Sequence, residues 1–164
     1  MAEISSPNFL QPTGFKLVID RAQFGNFEFF ASNVTHPSID VADTLAPFRG
    51  VDAHFPGDKI QYSQMSADVM LDEDMKVYEE LHSWLLRTQQ KAVNATDTLV
   101  SSTLKTEYDI QMLILTSHNN QVRSFKYKDA FPTSLGTVNF TSALGSIQAI
   151  TVPVTFSYTQ FDFT

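Results

Sequence analysis

Ile150-Thr151-Val152-Pro153-Val154-Thr155-Phe156-Ser157-Tyr158-Thr159 is the stretch that decides the fold. Ile150, Val152, Val154, Phe156 and Tyr158 share one parity, and Thr151, Pro153, Thr155, Ser157 and Thr159 share the other. Successive side chains of a strand point to opposite faces, so this segment has one apolar face and one rich in hydroxyls. A segment this regular is expected to be held in a sheet rather than to fray. Its hydroxyl face is expected to be wet or to meet another polar surface.

Composition agrees with a β-protein. The chain has 164 residues, enough for a single domain, 1–164, with a core that folds unaided. The apolar fraction of 43% is ordinary and argues against disorder. Phe is enriched, with 14 against one Trp and five Tyr, and aromatic side chains suit strands and bury a large area each. Cysteine is absent, which removes disulfides, thiolate nucleophiles and thiolate metal sites together. Met1 to Pro7 has neither a basic region nor an apolar run, so no signal peptide is expected. No stretch approaches the ~20 apolar residues of a membrane-spanning helix. The net charge of −7 disfavours gripping a nucleic-acid backbone, which needs Lys and Arg at the contacts. It is compatible with a surface that nucleic acid slides past, or simply with solubility.

Outward from the deciding stretch, residues 1–8 read as a mobile arm. The first strand is predicted over Phe15 to Asp20 and the second from Phe27 to about Val34. Gly25-Asn26 between them reads as the turn of a hairpin. From His36 to Asp58 no period survives three prolines and two glycines. A loop that long is uncommon in a compact domain and would be a natural arm for reaching a neighbouring subunit. A short strand around Leu45 to Ala53 is an open alternative. Lys59 to Leu71 resumes the alternation, with a parity change near Gln64 that reads as a bulge.

One helix is predicted, over about 72–88. Val77, Tyr78, Leu81, Trp84 and Leu85 form a stripe at the 3.6-residue period, and Asp72, Glu73 and Asp74 favour the positive end of its dipole. Asp72 is the candidate N-cap. Residues 88–107 read as an exposed connection. A hairpin then follows, with strands over Tyr108 to Thr116 and Val122 to Lys128 and a turn at Ser117–Asn120. Phe131 to Gly136 reads as a tight corner, with strands near Thr137 to Ser142 and Ile147 to Phe163. Pro153 has no N–H to donate, so it is expected at an edge or a bulge.

Chemistry is sparse. No nucleophile elbow, phosphate loop or His-Glu-x-x-His is present. Asp52, His54 and Asp58 are the best metal candidates, but a site needs donors converging within ~2–2.6 Å of one ion, which their spacing does not establish. A solvated loop is the ordinary reading. An enzyme built on these three residues is the catalytic alternative. Asp72, Glu73 and Asp74 are explained by the helix start, and His82 by packing beside the apolar stripe. Lys126 and Lys128, interleaved with Phe125 and Tyr127, form a basic-aromatic run that reads as an edge guard rather than a phosphate track. The expectation is no catalytic residue, no cofactor site and no metal site.

Three segments carry a family resemblance. PGDKIQYSQMSADVMLDEDMKVYEELHSWLL (56–86) has a Gly-Asp entry, an alternating strand, an acidic helix start and a late Trp. FPTSLGTVNFTSALGSIQAITVPVTFSYTQFDF (131–163) has an aromatic-Pro-Thr corner, a Leu-Gly and a final alternating strand ending in aromatics. SPNFLQPTGFKLVI (6–19) leads into the first strand. Their order and spacing resemble the tail tube protein of T4-like contractile bacteriophages, with Phe131 standing where that pattern has Trp. The resemblance implies a mainly β, antiparallel sandwich or barrel with one flanking helix and long loops. It further implies a structural subunit, not an enzyme, that forms hexameric rings stacking into a hollow conduit for DNA. The implied partners are further copies of itself, the tail sheath protein, the tape measure protein, and the baseplate and tail-terminator proteins. DNA would pass through the lumen without specific binding, and no membrane is implied. The implied location is the virion tail, with assembly in the host cytoplasm. A tube-capping ring, a terminator or a baseplate initiator, is the alternative within the family. A small-ligand-binding β-barrel is the alternative outside it.

Overall fold

The computed structural model describes residues 10, 12–20, 24, 31–93, 105–142 and 149–164. Among these the order is β1 (Phe15–Val18), β2 (Ala31–Thr35), β3 (Ile39–Phe48), β4 (Val51–Tyr62), β5 (Met65–Met70), α1 (Lys76–Val93), β6 (Tyr108–Leu115), β7 (Gln121–Leu135), β8 (Thr151–Ser157) and β9 (Gln160–Phe163). The architecture is mainly β and antiparallel with one flanking helix, as expected. The expected arm at 1–8, the Gly25-Asn26 turn, residues 27–30, residues 94–104 and the start of the last strand at 147–148 lie outside the described residues.

β7 is the strand on which the fold turns. Its first part lies between β6 and β9, and its last part pairs with β8, which continues to β5 and β2. One sheet therefore runs β1-β6-β7-β9 and a second runs β7-β8-β5-β2, with β7 common to both. The tight corner expected at Phe131 to Gly136 is instead the part of β7 that crosses between sheets, and the register shifts between Pro132 and Ser134 there. A bulged strand bends without ending, so the Pro and Gly signals marked a change of partner rather than a stop.

Alternation in β8 and β5 is as the parity predicts. Val152, Val154 and Phe156 are buried, and so are Met65, Ala67 and Val69 opposite them. Thr151, Pro153, Thr155 and Ser157 lie on the other face, with Ser66 and Asp68 across from Thr155 and Pro153. The carbonyl of Pro153 accepts a 2.8 Å hydrogen bond from the Gly136 amide. N–H and C=O of one antiparallel strand residue point the same way, so the donor Pro153 lacks would face the side where β7 has just ended. The proline sits at a local edge.

Between the sheets lies one apolar cluster, joining Leu17, Ile110 and Tyr127 to Val69, Val154 and Phe156. Helix α1 closes one margin against β7. Val77, Leu81 and Trp84 of its stripe are buried, each contributing about 1.5–3 kcal/mol by removal from water. The Trp84 ring lies 4.6 Å from Phe24, 5.4 Å from Tyr108 and 5.7 Å from Phe156. The helix runs from Lys76 to Val93, not 72–88. Met75 has φ 53°, a left-handed conformation that delays the first turn. Asp72 still caps it: its carboxylate accepts from the amides of Lys76 and Val77, both at 3.3 Å.

Four further expectations are corrected. Among the described residues β1 and β2 are not hairpin partners, because β1 pairs with β6 and β2 with β5. Lys59 to Leu71 is not one bulged strand. β4 ends at Tyr62 and β5 begins at Met65 in a different sheet, so the parity change is a passage between sheets. Thr137 to Ser142 is not a strand, and the last strand is two pieces, β8 and β9, broken at Tyr158-Thr159.

Candidate assembly interface

The region from His36 to Asp58, read as a loop or a short strand, is neither. β3 and β4 form a two-stranded sheet of their own, joined by a two-residue turn at Arg49 (φ 46°) and Gly50 (φ 87°). Two successive positive φ angles make a turn whose twist matches the flanking strands. Thr44 stands opposite Phe55 and Ala46 opposite Ala53, so these share a face with Val51. The other face carries Asp43, Leu45, Pro47, Asp52, His54 and Pro56. Closer to the body, Ile39 pairs with Tyr62 and Val41 with Ile60.

The arm is apolar yet uncovered. Val51 is 72% exposed, Ile60 58% and Phe55 54%, and Ile39, Val41 and Leu45 are exposed as well. An isolated two-stranded hairpin is marginal in water, and such a concentration of exposed apolar side chains marks an interaction surface. Among the described residues neither strand has a partner on its other edge, which offers backbone donors and acceptors to another chain.

A second surface is the open face of the β7-β8-β5-β2 sheet. Ser66, Thr155, Ser157, Thr133 and Thr35 make it a carpet of hydroxyls. Asp68 is the one charged side chain of those strands on that face, and its carboxylate accepts from the Asn33 amide at 3.0 Å. The overall −7 is therefore not concentrated there. The outer face of the other sheet carries paired charges. Lys126 Nζ lies 2.8 Å from Asp109, and Lys128 pairs with Asp162. The bond to Lys126 holds the Asp109 carboxyl below its ordinary range and raises the lysine. Both lysines of the basic-aromatic run are thus spent on neighbouring carboxylates.

Asp52, His54 and Asp58 all lie on the arm. His54 Nδ1 contacts Asp43 Oδ2 at 2.5 Å, and among the described residues no three His, Asp or Glu side chains are grouped as metal ligands would be. His82 is exposed and stacks on Tyr78. Sequence reasoning missed the aromatic nest at the root of the arm. Tyr62, His36, Phe125, Tyr127, Tyr158 and Phe161 meet there, with the Phe161 ring 5.0 Å from His36 and 5.4 Å from Tyr62. Its members come from β4, β7, β9 and two connections far apart in sequence, and only the excess of aromatics hinted at it.

The phage tail tube protein family model matches residues 5–164. The chain belongs to the phage tail tube protein family. No curated protein matches it in sequence. In structure this tail tube protein is similar to a chain of the anti-feeding prophage cap, the AFP tube terminating cap. That match has a TM-score of 0.68 and 13% identity, covering 99% of this chain and 95% of that one. It is similar to a chain of the PVC extracellular contractile injection system's sheath/tube terminator in the extended state, with a TM-score of 0.66, 14% identity, and 97% and 99% coverage. It is also similar to a chain of that system's sheath-tube complex in the extended state, with a TM-score of 0.63, 15% identity, and 98% and 93% coverage. At such identities the likeness is one of fold. As a tail tube protein the chain is a structural component of a phage tail, and the ligand-binding barrel is not favoured. Among the described residues its core is occupied by Trp84, Tyr127, Phe156 and their neighbours.

Proposed function

We propose that this tail tube protein assembles as one tail-tube-like domain into hexameric rings that stack into a hollow conduit for DNA. The observation that carries this is the β3–β4 arm, a two-stranded sheet whose apolar side chains stand in solvent and whose edges lack partners among the described residues. A second copy supplies both what the side chains and what the edges lack, and a closed ring leaves no copy unmatched. The hydroxyl face of the β7-β8-β5-β2 sheet lines the bore. It holds no Lys or Arg among the described residues, so it offers phosphates nothing to grip. One Asp68 per subunit adds weak repulsion, screened within ~8 Å at physiological salt. The reading includes the sheath, tape measure, baseplate and terminator proteins as partners. It places the working object in the virion, assembled in host cytoplasm, and assigns no catalysis, cofactor or metal.

Likeness to terminator chains as well as to a tube chain supports a second reading, a ring that caps the tube. Stacking separates the two: a tube subunit polymerises, whereas a cap stops at one ring. The role of the arm is tested by Phe55→Asp with Val51→Asp, followed by light scattering of concentrated protein. Loss of association with an unchanged melting curve is expected. Undiminished association would remove the arm from the interface.

A further inference from the structure

The arm meets the body at two short junctions, held by residues of β7, β8, β9 and the β8–β9 connection. His36-Pro37-Ser38 leads from β2 into β3, and Ser63-Gln64 leads from β4 into β5. The junctions are tied to each other: the Ser63 amide donates to the Ser38 carbonyl at 3.1 Å, and the Ser38 amide donates to Ser63 Oγ at 2.7 Å. Pro37 is buried and fixes its own φ, so the turn out of β2 is stiff.

Each junction is then pinned to the β7–β9 region. His36 Nδ1 is hydrogen-bonded to the Tyr127 hydroxyl at 2.8 Å, and its ring lies 4.4 Å from Phe125. The Tyr158 hydroxyl donates to the Ser63 carbonyl at 2.9 Å, and Gln64 Nε2 donates to Ser157 Oγ at 3.0 Å. Phe161 of β9 touches both sides, reaching His36 at the first junction and Tyr62 at the second.

We propose that His36, Tyr62 and Phe161 form a latch through which docking of β9 on β7 sets the direction of the β3–β4 arm. β9 is the weak member. It is four residues long and, among the described residues, pairs with β7 alone, from Phe125↔Phe163 to Lys128↔Gln160. Short edge strands open at the low end of a protein's range of local stabilities. When β9 lifts, Phe161 leaves, and the arm keeps only the contacts to Tyr127, Phe125, Ser157 and Tyr158. The arm then samples several directions, and the ordered one is restored when β9 returns. Because that arm is the proposed association surface, this inference rests on the preceding reading for its consequence, though not for its mechanism.

Hydrogen exchange on the full chain tests it. In Phe161→Ala the amides of Ser38 and Ser63 are expected to exchange about tenfold faster, while those of Val69 and Val154 keep their protection. In His36→Ala the same two amides are expected to exchange faster while those of β9 stay protected. Unchanged exchange at Ser38 and Ser63 in Phe161→Ala would overturn the latch. If Phe161→Ala instead loses protection throughout β5 and β8, the milder His36→Ala decides: faster exchange at the junctions upholds the latch and unchanged exchange overturns it. Association is measured in parallel. Faster exchange with undiminished association would leave the latch standing and remove the arm from the interface.

Discussion

Trp84 Nε1 donates a 2.6 Å hydrogen bond to the carbonyl of Thr106, tying the middle of α1 to the chain entering β6. Thr106 is itself buried, so this carbonyl has no water to turn to. Trp84→Phe removes the donor and leaves the acceptor unpaired, a loss of about 1–3 kcal/mol. Urea denaturation should show the midpoint falling with little change in slope. An unchanged midpoint would mean that water replaces the indole N–H.

Val154 and Thr151 lie on opposite faces of β8, one buried and one exposed. Val154→Asp places an unpaired charge among Ala67, Leu135 and their neighbours, at a penalty of several kcal/mol. It is expected to abolish folding, whereas Thr151→Asp folds. Circular dichroism of the two variants distinguishes them. A folded Val154→Asp monomer would invalidate the assignment of faces.

Two glycines separate body from arm. A Cβ on Gly136 would sit 2.4 Å from Pro153 Cγ and 3.0 Å from the Pro153 carbonyl oxygen, inside a sheet that cannot yield freely. Gly136→Ala should lower stability by about 1–3 kcal/mol. A Cβ on Gly57 would sit 2.3 Å from the Ala42 carbonyl oxygen, within the arm alone. Gly57→Ala should weaken association while leaving the body's melting temperature unchanged. Equal effects of the two on melting would show that arm and body unfold as one unit.

His36 makes the root of the arm sensitive to acid. Partial burial of the ring holds its imidazole below the ordinary value of 6.5, although the residue keeps an exposed side. The rings around it on β7 and β9 are those of Phe125, Tyr127 and Phe161, and Arg123 shares their face of β7 further along the strand. Burial raises the Tyr127 hydroxyl, and it pushes Tyr158 up to about 12, so both stay neutral. A folded state that prefers the neutral imidazole is fully stabilised above the unfolded value and loses that contribution as pH falls through the folded one. Thermal melts between about pH 7 and about pH 5 should fall more for the wild type than for His36→Gln. Parallel falls would show that the ring's charge is tolerated where it lies.

The sequence showed the sheets wherever one face is buried. Val152, Val154 and Phe156 had to alternate with Thr and Ser because their neighbours across β5 do the same, and the stripe of Val77, Leu81 and Trp84 had to face the core. The arm was illegible for the converse reason. None of the described side chains of β3 or β4 is buried, so nothing imposed a period of two, and among the described residues each strand has a free edge, where a missing proline donor is tolerated. Pairing was hidden as well. Gly25-Asn26 is a sound local turn signal, yet β1 found β6 and β2 found β5, which are choices made by distant parts of the chain. The nest around Phe161 left no pattern to read because its members lie on three separate strands, β4, β7 and β9, and on two connections that carry His36 and Tyr158.

Self-association through the arm and the sheet edges is tested most directly by negative-stain microscopy of concentrated protein supplied with seeds. Six-fold annuli, single or stacked into tubes, are expected. A field of dispersed compact particles under the same conditions would contradict assembly of these chains into a ring.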